Sequence, residues 1–138
     1  MTQTLYFAPD ALISYASGVF QNVGLPVEDA DIVAADLVRS NLRGIDSHGI
    51  SRIPMYLERL QRGLVNPRPN IVVRRVAGAV AEVDGDNGMG FLASHKAMNE
   101  AIELAKASGI GLVGVRRSTI SAWARSMRCR PSRLASSR

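Results

Sequence analysis

The polar side chains best suited to chemistry stand in one short segment, Asp46-Ser47-His48-Gly49, which is followed by Arg52. A histidine titrates near neutral pH, so His48 can transfer a proton or polarise a carbonyl oxygen. Arg52 comes four residues later, a spacing that places both side chains on the same side of a helical turn, and its guanidinium fork fits a carboxylate. The two residues together predict part of a site that oxidises or reduces a small hydroxy or keto acid.

The same spacing is compatible with a purely structural role. In that interpretation His48 and Arg52 hydrogen-bond loop carbonyl groups and the carboxylate of Asp46, and they bind no substrate. One histidine and one arginine also make up only one side of a catalytic site. Residue types and spacing leave both interpretations open.

Other polar features predict structure more than catalysis. His95 has no acidic or metal-binding partner at a useful spacing, so we expect it to lie at the surface or to cap a helix. Residues 85–90 have the pattern G-x-x-G-x-G, which differs from the dinucleotide-binding G-x-G-x-x-G, and Asp86 would repel a phosphate. We expect a tight turn there, with a ligand-contacting loop as the alternative. Two histidines and one cysteine match no zinc spacing, which predicts no metal site.

The elements around these residues predict an α/β fold. An apolar stripe with helical spacing follows Pro9 and ends at Gly24, and a second stripe follows Pro26, which predicts an antiparallel helical pair. A polar loop at 44–51 comes next. The remaining pattern predicts a helix capped by Ser51 and ending at Arg62, strands at 71–73 and 79–83, a helix at 91–108 and a strand at 110–115. The regular pattern ends at Arg116.

Length and composition describe one soluble globular domain. The chain has 138 residues, of which 46% are hydrophobic and 21% are charged. It has no apolar run near the roughly 18 residues that span a bilayer. Its start does not resemble a signal peptide, and the single cysteine, Cys129, cannot form an internal disulfide. We therefore expect a cytoplasmic protein without a membrane partner.

Arginine is concentrated near the C-terminal end. Residues 116–138 hold seven arginines and no acidic residue, a local charge of +7 against +5 for the whole chain, so the first 115 residues carry −2. One explanation is a tail that binds nucleic acid or a protein partner. The other is a segment that does not belong to the fold.

The segment at 41–56, with the sequence NLRGIDSHGISRIPMY, resembles the signature of the malate/L-lactate dehydrogenase family of NAD(P)-dependent oxidoreductases. The resemblance continues at 63–67, 83–90 and 105–111, and it covers residues 1 to about 119. It implies a non-Rossmann α/β fold, a homodimer, and NAD or NADP as the cofactor.

The resemblance also implies roles for three residues. Ser47 and His48 would line the pocket for the nicotinamide and the substrate, with His48 both a catalytic and a cofactor-binding residue. Arg52 would bind the carboxylate of a small 2-hydroxy or 2-keto acid. The hydride would pass between the cofactor and the substrate carbon.

The sequence departs from the family pattern directly after Thr119. The family has a histidine for the hydroxyl proton there, in a Ser-Thr-His-Phe-Gly run, whereas this chain continues with Ile120, Ser121 and Ala122. If one base is inserted after the codon for Thr119, the shifted reading frame can encode Thr-His-Phe-Gly. We therefore expect residues 1–119 to be the N-terminal part of a dehydrogenase-like domain and 120–138 to be a basic, disordered, out-of-frame tail. Such a truncated chain is expected to be poorly soluble and to have little or no activity.

Two other functions compete with this interpretation. The first is a binding protein whose arginine tail contacts nucleic-acid phosphates, although the tail has one aromatic residue and no recognisable nucleic-acid-binding fold precedes it. The second is a regulatory fragment that pairs with an intact subunit.

Overall fold

Helices and strands follow one another in the predicted order in the computed structural model, which describes residues 6–119. The helices are α1 (Pro9–Gln21), α2 (Val27–Leu42), α3 (Ile53–Gln61) and α4 (Gly90–Ser108), and the strands are β1 (Val72–Ala77), β2 (Val80–Gly88) and β3 (Leu112–Ser118). This arrangement confirms the predicted α/β fold class. The predicted tail at 120–138 lies outside the described residues. None of the described helices combines the length and the apolar character needed to cross a membrane.

Helices α1 and α2 pack against each other through their apolar stripes. Pro9 lies in the first turn of α1, where its missing N–H costs no hydrogen bond, and Glu28 and Asp29 place negative charge at the N-terminus of α2. Phe20 of α1 and Leu37 of α2 are fully buried. The other buried members of this core come from α2, α3, the start of α4 and the connecting loops: Leu25, Ala30, Val33, Tyr56, Leu60, Val65, Met89, Phe91 and Leu92.

The three strands form one sheet in the order β1-β2-β3. β1 and β2 form an antiparallel hairpin, and β2 and β3 run parallel because α4 carries the chain back between them. Val83 of β2 packs with Ala93 and Ala97 of α4. Helix α4 therefore covers one face of the sheet and joins it to the helical layer.

The structure corrects the predicted start of the third helix. A cap at Ser51 would start this helix at Arg52, but it begins at Ile53. Residues 46–52 instead form two short 3₁₀ turns, Asp46–His48 and Ile50–Arg52. The Ser51 hydroxyl does not cap the helix. It donates a hydrogen bond to the carbonyl oxygen of Asp46 at 2.7 Å.

The strands are longer than predicted, and β3 continues past Arg116 to Ser118. The prediction that regular structure ends at Arg116 was therefore wrong. The Arg116 guanidinium pairs with Glu82 at 2.9 Å and with Asp84 at 3.0 Å, and both acidic residues lie on the neighbouring strand β2. Arg116 thus joins β2 through both its backbone pairing with Asp84 and its side chain.

Candidate functional site

The Ser47–His48 segment connects the end of α2 to the start of α3. Gly44 ends α2 with a positive φ of 73°, and its N–H bonds the carbonyl oxygen of Asn41 at 2.8 Å. The two 3₁₀ turns then follow before Ile53 begins α3. The candidate residues are therefore held on a short connection between two helices of the core.

Ser47 and His48 form a hydrogen-bonded pair. The Ser47 Oγ and His48 Nδ1 atoms are 2.8 Å apart, which orients the imidazole ring. His48 is half-buried, whereas Ser47 is exposed. Within residues 6–119 the other ring nitrogen, Nε2, has no hydrogen-bond partner. This nitrogen is available to a ligand.

Arg52 contacts the same segment through one of its three nitrogens. Its Nε donates a hydrogen bond to the carbonyl oxygen of Ser47 at 2.5 Å, as the structural interpretation requires. Its two terminal nitrogens have no partner among the described residues, and the side chain is exposed. The guanidinium is thus anchored at one edge while its fork remains available for a carboxylate.

The structural interpretation fails for Asp46. The Asp46 carboxylate accepts a hydrogen bond from Asn41 Nδ2 at 2.6 Å, and neither His48 nor Arg52 bonds it in the described part of the chain. Asn41 was not singled out from the sequence as a site residue. The spacing of five residues between an amide and a carboxylate was its only local signal.

Tyr56 connects this segment to the hydrophobic core. It is buried on α3, one turn after Arg52, and its ring meets Phe91 edge-on at 5.6 Å between centroids. Burial raises the pKa of Tyr56, although the nearby Arg52 and Arg59 guanidinium groups lower it. The phenol therefore stays neutral at physiological pH and serves to fix the start of α3.

His95, expected to lie at the surface or to cap a helix, has an acidic partner that the sequence spacing did not indicate. His95 Nε2 lies 2.8 Å from Asp36 Oδ2, and Arg39 Nη1 lies 2.8 Å from Asp36 Oδ1. The Asp36 side chain is only 1% exposed, so its charge requires these partners. The available signal was an aspartate inside the apolar stripe of α2, since a buried carboxylate must be paired.

The glycine-rich run at 85–90 does not form the predicted tight turn. Residues 85–88 are the end of β2, where the pairing with β3 shifts register between Asp84 and Gly88 in a bulge, and α4 begins at Gly90. Asp86 and Asn87 both have positive φ angles, 47° and 55°. The Asp86 carboxylate accepts hydrogen bonds from Asn66 Nδ2 and from the Asn70 backbone N–H, both at 3.0 Å. This carboxylate thus braces the bulge internally, and it places a negative charge where a phosphate would have to lie.

The first amide of α4 is also occupied. The Gly90 N–H donates to Thr119 Oγ1 at 3.1 Å, so it is not available to a cofactor pyrophosphate. Gly88 lies so close to Pro69 that an added Cβ would come within 2.5 Å of the proline ring. At this end of β2 the described residues therefore leave neither the first amide of α4 nor the space beside Gly88 open to a phosphate. Residues 6–119 contain no group of three metal-binding side chains.

Two of the C-terminal arginines are neutralised within the sheet. Arg116 pairs with Glu82 and Asp84, and Arg117 Nη2 lies 3.1 Å from Asp86 Oδ1. These charges line a cleft of about 340 Å³ on the face of the sheet opposite α4. Because carboxylates already bind these two guanidinium groups, they do not present an open surface for nucleic-acid phosphates.

Sequence comparison relates the chain to hydroxyacid dehydrogenases. The family profile described as malate/L-lactate dehydrogenase matches residues 7–127. The malate dehydrogenase of Pyrococcus abyssi is 43% identical over 109 residues, which cover 79% of this chain and 30% of that protein. The chain therefore spans about a third of the length of the curated relatives that it matches.

Solved structures agree with the sequence comparison. The malate dehydrogenase of Pyrococcus horikoshii superposes with a TM-score of 0.78 at 38% identity, covering 88% of this chain and 37% of that one. The sulfolactate dehydrogenase of Methanocaldococcus jannaschii superposes with a TM-score of 0.79 at 37% identity, covering 83% and 33%. Sequence and fold lead to the same conclusion. The chain belongs to the malate/L-lactate dehydrogenase family.

Proposed function

We propose that Ser47, His48 and Arg52 form one side of a site for NAD(P)-dependent oxidation or reduction of a small 2-hydroxy or 2-keto acid. The observation that carries this proposal is the arrangement around Ser47. Its hydroxyl contacts the imidazole of His48, and its carbonyl oxygen anchors the guanidinium of Arg52. A proton-carrying group and a carboxylate-binding group therefore flank one residue.

Each group has a separate task in the proposed reaction. The nicotinamide, when bound, supplies or accepts the hydride. The free fork of Arg52 binds the substrate carboxylate through paired charge-assisted hydrogen bonds. When Ser47 Oγ donates to His48 Nδ1, the Nε2 atom carries the ring proton and can donate a hydrogen bond that polarises the carbonyl group of a keto acid. The loop thus orients the acid at both ends.

The remaining functional assignments are also proposals. Curated relatives act as malate, sulfolactate and hydroxycarboxylate dehydrogenases, which supports a small carboxylic substrate here. We assign NAD or NADP as the cofactor, a homodimer as the assembly of the intact enzyme and the cytoplasm as its location. The malate/L-lactate family and the single cysteine support these assignments.

We propose further that the sequence loses the family reading frame after Thr119, so that 1–119 is the enzyme portion and 120–138 an out-of-frame tail. Ile120 stands where the family pattern has its second histidine, so the 138-residue chain should reduce pyruvate or oxaloacetate far more slowly than an intact relative. The gene sequence tests the frame directly. One base inserted after codon 119 should produce His-Phe-Gly, and codons that cannot do so would refute the frame loss.

Replacing Arg52 by Leu tests the substrate-binding role. Pyruvate should shift the NMR signals of the His48 ring in the parent chain, and the Arg52→Leu variant should bind it about tenfold more weakly because a charged hydrogen-bonding partner is lost. Pyruvamide, which lacks the carboxylate, should bind both proteins equally weakly.

Arg62→Leu provides the matched control for this test. Arg62 lies at the end of α3 and pairs with Glu58 at 3.0 Å, with both side chains 64% exposed, so its loss should leave pyruvate binding unchanged. Equal pyruvate affinity for the parent chain and the Arg52→Leu variant would contradict the proposed role.

A further inference from the structure

We propose that Asn41 is a positioning residue that holds the Ser47–His48 segment, and that Gly49 makes room for its side chain. The consequence for catalysis rests on the proposed function, whereas the positioning itself does not. Asn41 lies in the last turn of α2, whose Leu37 and Val38 side chains are buried in the core. The segment is therefore attached to a rigid helix.

The Asn41 amide spans the two 3₁₀ turns. Its Nδ2 donates to Asp46 Oδ1 at 2.6 Å, at the start of the first turn. Its Oδ1 accepts the backbone N–H of Ile50 at 2.9 Å, at the start of the second turn. Ser47 and His48 lie between these two attachment points. An amide suits this position because it supplies a donor and an acceptor at the same time.

Gly49 is packed directly against this amide. A Cβ added at Gly49 would lie 2.0 Å from Asn41 Oδ1 and 2.7 Å from Asn41 Nδ2. The φ of Gly49 is −94°, which any residue can adopt, so the need for glycine comes from space and not from backbone strain. A methyl group here would displace the amide and break both hydrogen bonds.

The segment has a second support on the side of α3. Ser51 Oγ donates to the carbonyl oxygen of Asp46, and Arg52 Nε donates to that of Ser47. The loop is thus braced from α2 by Asn41 and from the start of α3 by these two side chains. Together these bonds fix the imidazole of His48 relative to the guanidinium of Arg52, as a site that binds both ends of a keto acid requires.

The first experiment follows the His48 ring by NMR in the ligand-free, full 138-residue chain. Asn41→Asp removes the donor and places a second carboxylate beside Asp46, so the His48 ring signals should shift and the Ile50 amide should exchange about tenfold faster. Adding Asp46→Asn restores one donor and one acceptor with the bond reversed, and it should return both readouts to those of the parent chain. Unchanged His48 signals in Asn41→Asp, or failure of the second substitution to restore them, would overturn the proposal.

The second experiment tests the contact with Gly49. Gly49→Ala should lower the folding equilibrium constant about 30-fold in the parent chain but less than about threefold in an Asn41→Ala background, where the blocking amide is gone. Gly18→Ala is the control, because an added Cβ at Gly18 meets nothing within 4 Å. Equal losses at Gly49 in the two backgrounds would overturn the proposal.

These readouts separate the positioning role from the proposed function because neither experiment uses a ligand. If His48 responds to the Asn41 variants as expected while pyruvate fails to bind, the proposed function fails and the positioning role stands. If pyruvate binding depends on Arg52 while the NMR signals of the His48 ring do not respond to the Asn41 substitutions, the positioning role fails and the function stands.

Discussion

Replacing Phe20 by Ala is expected to lower the free energy of unfolding by about 3–5 kcal/mol. Phe20 is fully buried on α1 and belongs to the same core cluster as Leu37 of α2 and Phe91 of α4. Removing its ring loses the free energy gained by transferring these apolar atoms out of water. It also leaves a cavity among the helices, which hold the loop at 46–52 and pack against the sheet. Urea unfolding followed by far-UV circular dichroism measures the change.

Phe7→Ala is the matched control for this substitution. Phe7 has a side chain of the same type, lies just before α1 and is 62% exposed, so its truncation should change the free energy of unfolding by no more than about 0.5 kcal/mol. Equal destabilisation by the two substitutions would show that α1 does not pack in the core as described.

Replacing Gly111 by Ala is expected to cost about 3 kcal/mol of unfolding free energy. An added Cβ would lie 2.1 Å from the carbonyl oxygen of Ala101 on α4, a backbone atom that no side-chain rotation can move away. Relief requires the start of β3 to separate from α4, which weakens the packing of Val113 against Ala93 and Ala97. The same urea unfolding measurement applies.

Gly114→Ala, within β3, controls for the loss of a glycine from this part of the chain, since Gly111 lies directly before the strand. An added Cβ at Gly114 meets nothing within 4 Å, so this substitution should change the free energy of unfolding by about 0.5 kcal/mol or less. The prediction fails if Gly111→Ala is no more destabilising than Gly114→Ala, since α4 and β3 would then not approach as closely as the structure shows.

The helices were predictable because their signals are local. The apolar stripe after Pro9 and the acidic first turn after Pro26 act within a few residues, so α1 and α2 follow from periodicity. Strand ends were less predictable. The apolar run at 110–115 indicated β3, but its extension to Ser118 comes from backbone pairing with β2, whose carboxylates also pair with Arg116 and Arg117.

The candidate site was predictable in composition but not in arrangement. The closeness of Ser47, His48 and Arg52 follows from their separation of at most five residues, which any turn keeps together. The spacing did not show whether the Arg52 fork would be occupied. In the structure only the Nε of Arg52 donates a hydrogen bond to the chain, as the structural interpretation expected. The two terminal nitrogens stay open, as the functional interpretation needs.

Local sequence was therefore sufficient for the order of the elements, for the family and for the residues of one loop, because each depends on patterns within a few turns of chain. Only the folded chain brings His95 to Asp36, 59 residues away, and sets Asn41 across the turns that carry His48. Such contacts depend on how whole helices pack and how strands align. A distance of 2.8 Å between remote side chains is a property of that packing, and no spacing in the sequence encodes it.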